Sequence, residues 1–194
     1  MKDLFKILIL LISISGFAQQ GITPFEQQAY DKAISVYHSL DYLVVEEDGN
    51  ATSTEVKDYI FKVKQNVYVK TIELFDELLD TLPNTKLLNR IYYNKANIYK
   101  DKGDLDLAVW FYKKVLENPE FIYVEAENED NYYRRQICIY LALIYMDKKE
   151  YLEAEKEIEL AKSYKVQYSC GNSAMESSEE LIALLKKCKE RKKQ

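Results

Sequence analysis

Two stretches of equal length decide the fold: Asn89 to Ile122, NRIYYNKANIYKDKGDLDLAVWFYKKVLENPEFI, and Arg135 to Tyr168, RQICIYLALIYMDKKEYLEAEKEIELAKSYKVQY. The first contains Tyr92-x2-Lys95-Ala96-x2-Tyr99, and the second Cys138-x2-Leu141-Ala142-x2-Tyr145. Further on, Leu105-x2-Ala108-x3-Tyr112-x2-Val115 is matched by Tyr151-x2-Ala154-x3-Ile158-x2-Ala161. Apolar residues recur at three and four, the helical period. In each stretch the two small alanines are 12 residues apart, Ala96 to Ala108 and Ala142 to Ala154. Lys102-Gly103-Asp104 and Lys148-Lys149-Glu150 occupy the turns between. A small residue on each helix lets two helices cross closely while large neighbours interdigitate above and below. Each stretch therefore reads as an antiparallel helical hairpin.

The pattern of large, small, large and aliphatic extends upstream. Tyr68-x2-Thr71-x3-Phe75-x2-Leu78 repeats it, with Pro83 beyond, and Tyr30-x2-Ala33-x3-Tyr37-x2-Leu40 repeats it again. Helices are expected at 24–44, 53–66, 67–82, 86–101, 104–118, 131–147, 150–165 and 173–191. No Gly or Pro marks the join near Gln65-Asn66, so 53–82 is open to being one helix or two. The lone second-type helix 24–44 would have its partner upstream. Composition agrees: the chain has 194 residues, 47% of them apolar, with 17 Tyr but only five Gly, three Pro, one His and one Trp. So few turn formers exclude an all-β sandwich or barrel, and the apolar content excludes a disordered chain.

On the residues just quoted the sequence resembles the tetratricopeptide repeat family, whose signature is W-x2-L-G-x2-Y, then A-x3-F, then P, over about 34 residues. The units are 52–85, 89–122 and 135–168, the first matching only in its second half. The resemblance implies an all-α fold: an α-solenoid of antiparallel hairpins in a right-handed superhelix, closed by a C-terminal capping helix at 173–191. Stacked repeats of this kind curve and present a concave face. The resemblance further implies that the groove is lined by first-helix residues beside the packing positions. Here those are Arg90, Tyr93, Asn97 and Lys100 from one unit, and Gln136, Ile139, Leu143 and Met146 from the next. Half polar and cationic, half apolar, such a floor suits a protein partner presenting an extended peptide or a helix. The alternative cover for its apolar half is the chain's own last helix, whose stripe is Leu181, Leu184, Leu185 and Cys188.

The first 18 residues, MKDLFKILILLISISGFA, lie outside this pattern. Lys2 and Lys6 precede an apolar run from Ile7 to Ile14, and Gly16 and Ala18 flank Phe17. This is the layout of a secretory signal peptide cleaved after Ala18. The run is shorter than the ~20 apolar residues that span a bilayer. The expected product is residues 19–194, a single helical domain with no integral membrane segment, exported to the periplasm or released outside the cell. The full chain carries net charge −5, which disfavours nucleic acid as a partner. Lys186, Lys187, Lys189, Arg191, Lys192 and Lys193 complement the dipole of a last helix. With three cysteines at most one internal disulfide exists. Cys138 falls inside a helix as a small buried residue, and a Cys170–Cys188 bridge is left open.

No constellation for catalysis, cofactor or metal is legible: there is no Gly-rich phosphate loop, no GxSxG, no HExxH and no CxxC. His38 reads as a surface residue. Glu125, Glu127, Glu129 and Asp130 cluster with Asn128 and Asn131 between the two hairpins, as a solvated acidic loop without Ca²⁺-binding spacing. Asn50-Ala51-Thr52 matches a glycosylation sequon. Tyr123, Tyr132 and Tyr133 pack the insert back onto the repeats or serve as contacts. The sequence reading is a non-enzymatic protein–protein interaction scaffold of the cell envelope. The alternatives are a structural subunit that self-associates there and, as a third class, a metal-assisted enzyme using the acidic insert.

Overall fold

The computed structural model describes residues 21–42, 54–123, 126–167 and 171–192, with side chains described from 179 onward in the last segment. The leader, the sequon, Glu125, Cys170 and the polar loop after Tyr42 fall outside these, as does any Cys170–Cys188 bridge. Among the described residues there are seven α-helices and no strands: α1 Pro24–His38, α2 Thr54–Thr81, α3 Leu88–Lys102, α4 Leu105–Glu117, α5 Glu127–Asp147, α6 Tyr151–Ser163 and α7 Gly171–Arg191. A short 3-10 turn, Ser39–Tyr42, extends α1. None of these helices is long and apolar enough to cross a membrane.

Each helix packs mainly on its neighbours in sequence. Ring contacts at Tyr30–Phe75 and Tyr37–Tyr68 show α1 running antiparallel to α2. Tyr30 meets Asn94 and Tyr37 meets Asp101, a constant offset of 64 residues, so α1 runs parallel to α3. Tyr93 meets Tyr133 and Lys100 meets Tyr140, a constant offset of 40, so α3 runs parallel to α5. Helices α1, α3 and α5 thus share one direction. The partner of α2 is α1, which corrects the reading of 24–44 as a lone second-type helix and of 52–85 as a hairpin of its own. Residues 54–81 form one helix because the stripe Ile60, Val63, Val67 continues in phase into Thr71, Leu74 and Leu78, and nothing breaks it.

Local chemistry sets the ends. Thr23 opens α1 with a capping box: its Oγ1 accepts from the Glu26 N–H at 3.2 Å, and Glu26 Oε2 accepts from the Thr23 N–H at 2.7 Å. Pro24 follows at the first helical position. Gly103 closes α3 in the left-handed region, φ 82°. Lys149 stands at the same point after α5 with φ 63° and has no such freedom. Helix α5 starts at Glu127, earlier than the expected 131, and so absorbs part of the acidic cluster. Glu127, Glu129 and Asp130 in its first turn meet the positive end of the helix dipole. Gly171 begins α7 and does not end a helix.

Two core clusters meet at α3. Ile91 and Ile98 pack with Tyr30, Ala33, Phe75 and Leu78 on one side. Ala96 belongs to the other cluster, which residues of α4, α5, α6 and α7 build. All four crossing alanines, Ala96, Ala108, Ala142 and Ala154, are fully buried. Helix α7 adds Leu181, Leu184 and Cys188 to the second cluster. Its C-terminal end lies at the start of α6: the Cys188 thiol donates to the Tyr151 carbonyl at 3.4 Å, and Arg191 pairs with Asp147, the last residue of α5, at 3.9 Å.

Candidate interaction face on helices 3 and 5

Along α3, Arg90, Tyr93, Asn97 and Lys100 recur at three, four and three residues, and along α5 Tyr133, Gln136, Tyr140 and Leu143 do the same. That spacing keeps each set on one side of its helix. The parallel register brings the two sets together: the Tyr93 and Tyr133 rings are 5.6 Å apart, and Lys100 Nζ lies 5.5 Å from the Tyr140 ring centre. All of these residues are half-buried except Leu143, which is 40% exposed.

The polar groups of the α3 set are engaged within the chain. Arg90 donates from Nε to the Ile122 carbonyl at 2.9 Å and from its terminal nitrogen to the Tyr123 carbonyl. Its guanidinium also stands over the Tyr123 ring. It is therefore a strut for the segment after α4. The Tyr112 hydroxyl donates to Asn97 Oδ1 at 2.6 Å, and Asn97 bonds Tyr93 as well. Burial pushes the Tyr93 and Tyr112 hydroxyls well above the usual phenol value. Lys100 pairs with Asp101 at 2.7 Å, and Asp101 accepts the Tyr37 hydroxyl at 3.1 Å. Asn94 ties three elements: its amide nitrogen lies 3.0 Å from the Tyr30 hydroxyl, 2.9 Å from that of Tyr123 and 2.7 Å from the Arg90 carbonyl.

The eight residues selected by repeat spacing thus divide. Arg90, Tyr93, Asn97 and Lys100 form one continuous stripe and meet α5. Gln136 and Leu143 lie on the facing stripe of α5. Ile139 and Met146 are buried in the second core cluster, which α7 completes, so they do not line an open floor. The burial pattern places Tyr133 and Tyr140 on the accessible side of α5 instead. Gln136, Ile139, Leu143 and Met146 have the same three-four-three spacing, so spacing alone does not separate the two sets; the 40-residue register of the Tyr93–Tyr133 and Lys100–Tyr140 contacts does.

The segment after α4 is held by structural bonds. Asp130 accepts the Ile122 N–H at 3.0 Å and pairs with buried Arg134. Arg134 donates to the carbonyls of Val115 at 3.1 Å, Asn118 at 2.9 Å and Glu120 at 2.8 Å. Asn89 reaches the Glu120 carbonyl too. Asp130 is therefore a buried ion-pair partner and not part of a solvated loop, while Glu127 and Glu129 are exposed. Tyr123 and Tyr133 pack together at 4.9 Å, and Tyr132 is exposed. Among the described residues no three His, Cys, Asp or Glu side chains converge as metal ligands. His38 lies exposed and meets Asp41 at 2.9 Å. Burial pushes the Cys138 thiol up to about 12, which leaves it protonated and unreactive at neutral pH.

No known protein family matches the chain, and no curated protein matches it.

Proposed function

We propose that the chain is an exported, non-enzymatic scaffold of the tetratricopeptide kind that binds a protein or peptide partner in the cell envelope. The all-helical architecture is consistent with an α-solenoid in which α1–α2, α3–α4 and α5–α6 are successive hairpins and α7 caps the end. What supports the family reading is the pair of hairpins with buried alanines at matching crossings. What carries the binding reading is Leu143, a large aliphatic side chain left exposed one turn beyond Tyr140, whose ring lies 5.5 Å from Lys100 Nζ. An apolar anchor rimmed by tyrosine and a cation suits a partner helix or extended segment with an apolar residue and an acidic neighbour.

A photo-crosslinking amino acid substituted at Leu143 tests this in the native host. The expected result is one dominant adduct, absent when the same group replaces Val69 on α2. Equal adducts from both positions overturn the assignment. Substituting Arg90, Tyr93 or Asn97 is a poorer test, because each holds the fold together. Export is tested on the same material by mass spectrometry, with the N-terminus expected at Gln19.

A further inference from the structure

The two ends of the helical array are unlike. At the first end α1 and α2 leave a groove of about 400 Å³ between them. Its walls are Phe25, Ala29 and Lys32 on α1 and Leu74, Glu77 and Leu78 on α2. Phe25 is 61% exposed there. Each wall repeats at three and four residues, the form of a groove that receives a helix. Lys32 and Glu77, on opposite walls, form no ion pair. Elsewhere Lys and Glu side chains pair at i,i+3: Lys70–Glu73 on α2, Lys114–Glu117 on α4 and Lys162–Glu159 on α6.

At the last end α7 turns Leu181, Leu184 and Cys188 inward, with Leu185 half-buried against the same core cluster, and its outer side carries Ile182 with Lys186, Lys189 and Glu190. Ile182 is 64% exposed. The charges on the two surfaces match in sign and in spacing. The Tyr30–Phe75 and Tyr37–Tyr68 contacts fix the α1–α2 register, which puts Glu77 level with Gln28. Glu77 is thus four residues, about 6 Å of helix rise, from Lys32 along the groove. Lys186 and Glu190 are separated by the same four residues and the same ~6 Å. With Lys186 on Glu77 and Glu190 on Lys32, the incoming α7 runs parallel to α1.

We infer that the groove between α1 and α2 receives α7 of a second copy of this chain, so that copies associate head to tail. Ile182 enters against Phe25, Ala29, Leu74 and Leu78, with the exposed edge of Leu185 beside it, and the two charge pairs set the register. The contact is heterologous, so a pair keeps one free groove and one free α7, and association does not close at two. The inference uses surfaces separate from the α3–α5 face and stands or falls without it.

The test is light scattering of the protein, as recovered from cells, from ~10 μM to ~1 mM, the range expected for a small contact. The mass is expected to rise past two protomers without a plateau. Charge reversal of the groove, Lys32→Glu with Glu77→Lys, should lower association at least tenfold. So should reversal of α7, Lys186→Glu with Glu190→Lys. All four sites are exposed, and unchanged circular dichroism and melting confirm folding. An equimolar mixture of the two reversed proteins should regain association, because each supplies the surface that fits the other. A wild-type protein that stays monomeric throughout, or saturates at two protomers, overturns the inference. So do reversed proteins that associate as the wild type does, or a mixture that fails to recover.

Discussion

The hairpins α3–α4 and α5–α6 share a backbone plan and solve one buried position in opposite ways. Their turns are alike: the Asp104 N–H donates to the Tyr99 carbonyl at 2.9 Å, and the Glu150 N–H to the Tyr145 carbonyl at 2.8 Å. The alanine crossings are alike. Three residues past the second alanine, however, stands Phe111 in one and Glu157 in the other. Phe111 stacks on Tyr99 at 5.4 Å, meets Tyr92 at 5.6 Å and lies under Lys95 Nζ at 4.6 Å. Glu157 is partly buried with one carboxylate oxygen unpaired, and burial raises its pKa from the usual carboxylate range. Equal backbone spacing therefore does not mean equal energetics. The first hairpin gains from an aromatic cluster, whereas the second carries a desolvated acid, and the buried charges at the start of α5 are paired, Asp130 with Arg134.

The comparison breaks most visibly at that pair. Replacing Arg134 by Ala leaves Asp130 buried without its cation and strips the Val115, Asn118 and Glu120 carbonyls of a donor. The expected loss is about 3–5 kcal/mol, as for other buried pairs broken on one side, read from the urea midpoint. Leu88 stands at the corresponding place in the first hairpin, and Leu88→Ala should cost clearly less because no charge is orphaned. Equal losses would show that Arg134 acts by packing alone. Next come the crossings. Ala108→Leu and Ala154→Leu each force a larger side chain into a fully buried contact and should cost about 1–3 kcal/mol. Similar losses in the two hairpins would confirm that the crossings are equivalent, and a difference of tenfold in the folding constant would break the equivalence.

The two hairpins were legible because their crossings depend on residues close in sequence, at spacings the helical period dictates. The first hairpin was not legible, because the pairing of α1 with α2 joins Tyr30 to Phe75 and Tyr37 to Tyr68 across the long loop. The unbroken stripe of α2 also hides where its packed half begins. The acidic residues before Asn131 read as loop by composition, yet they suit the N-terminus of α5, and Asp130 is drawn inward by Arg134, four residues on. On the candidate face, spacing located the α3 stripe. Copying that spacing onto α5 selected Ile139 and Met146, whose apolar character takes them into the core instead. Which sector of a helix is buried depends on the neighbours it meets, and the repeat period does not encode them.

Glu157 gives a smaller effect with a definite pH signature. Lys113, Glu153 and Lys156 are the charged groups around it, and desolvation outweighs the attraction of the two lysines. A carboxyl whose folded pKa lies above its unfolded one binds its proton more tightly when folded. The folded state therefore gains stability as the pH falls from the folded value towards the unfolded one, and lacks that gain at neutral pH. Glu157→Gln should raise stability at pH 7 by about 1 kcal/mol, the scale of one unsatisfied buried polar group, and flatten the acid side of the stability profile. A variant that is less stable at pH 7 would mean that Glu157 has a favourable ion pair with Lys113 after all.

The smallest difference lies in the turns themselves. Gly103 and Lys149 both close a helix with positive φ, at 82° and 63°, and only glycine adopts that region without its Cβ crowding the following carbonyl. The strain at Lys149 is offset by the greater freedom that glycine brings to the unfolded chain, so Lys149→Gly should stabilise by only about 0.5–1 kcal/mol. The reverse change, Gly103→Lys, should cost a similar amount, because open space surrounds a Cβ at that position and the penalty is conformational alone. Thermal melting of the two single variants and of the double variant decides the point. If the turns are equivalent, the double variant melts with the wild type. A double variant that melts well below it would mean that the Lys102-Gly103-Asp104 turn has a requirement beyond backbone conformation which its counterpart lacks.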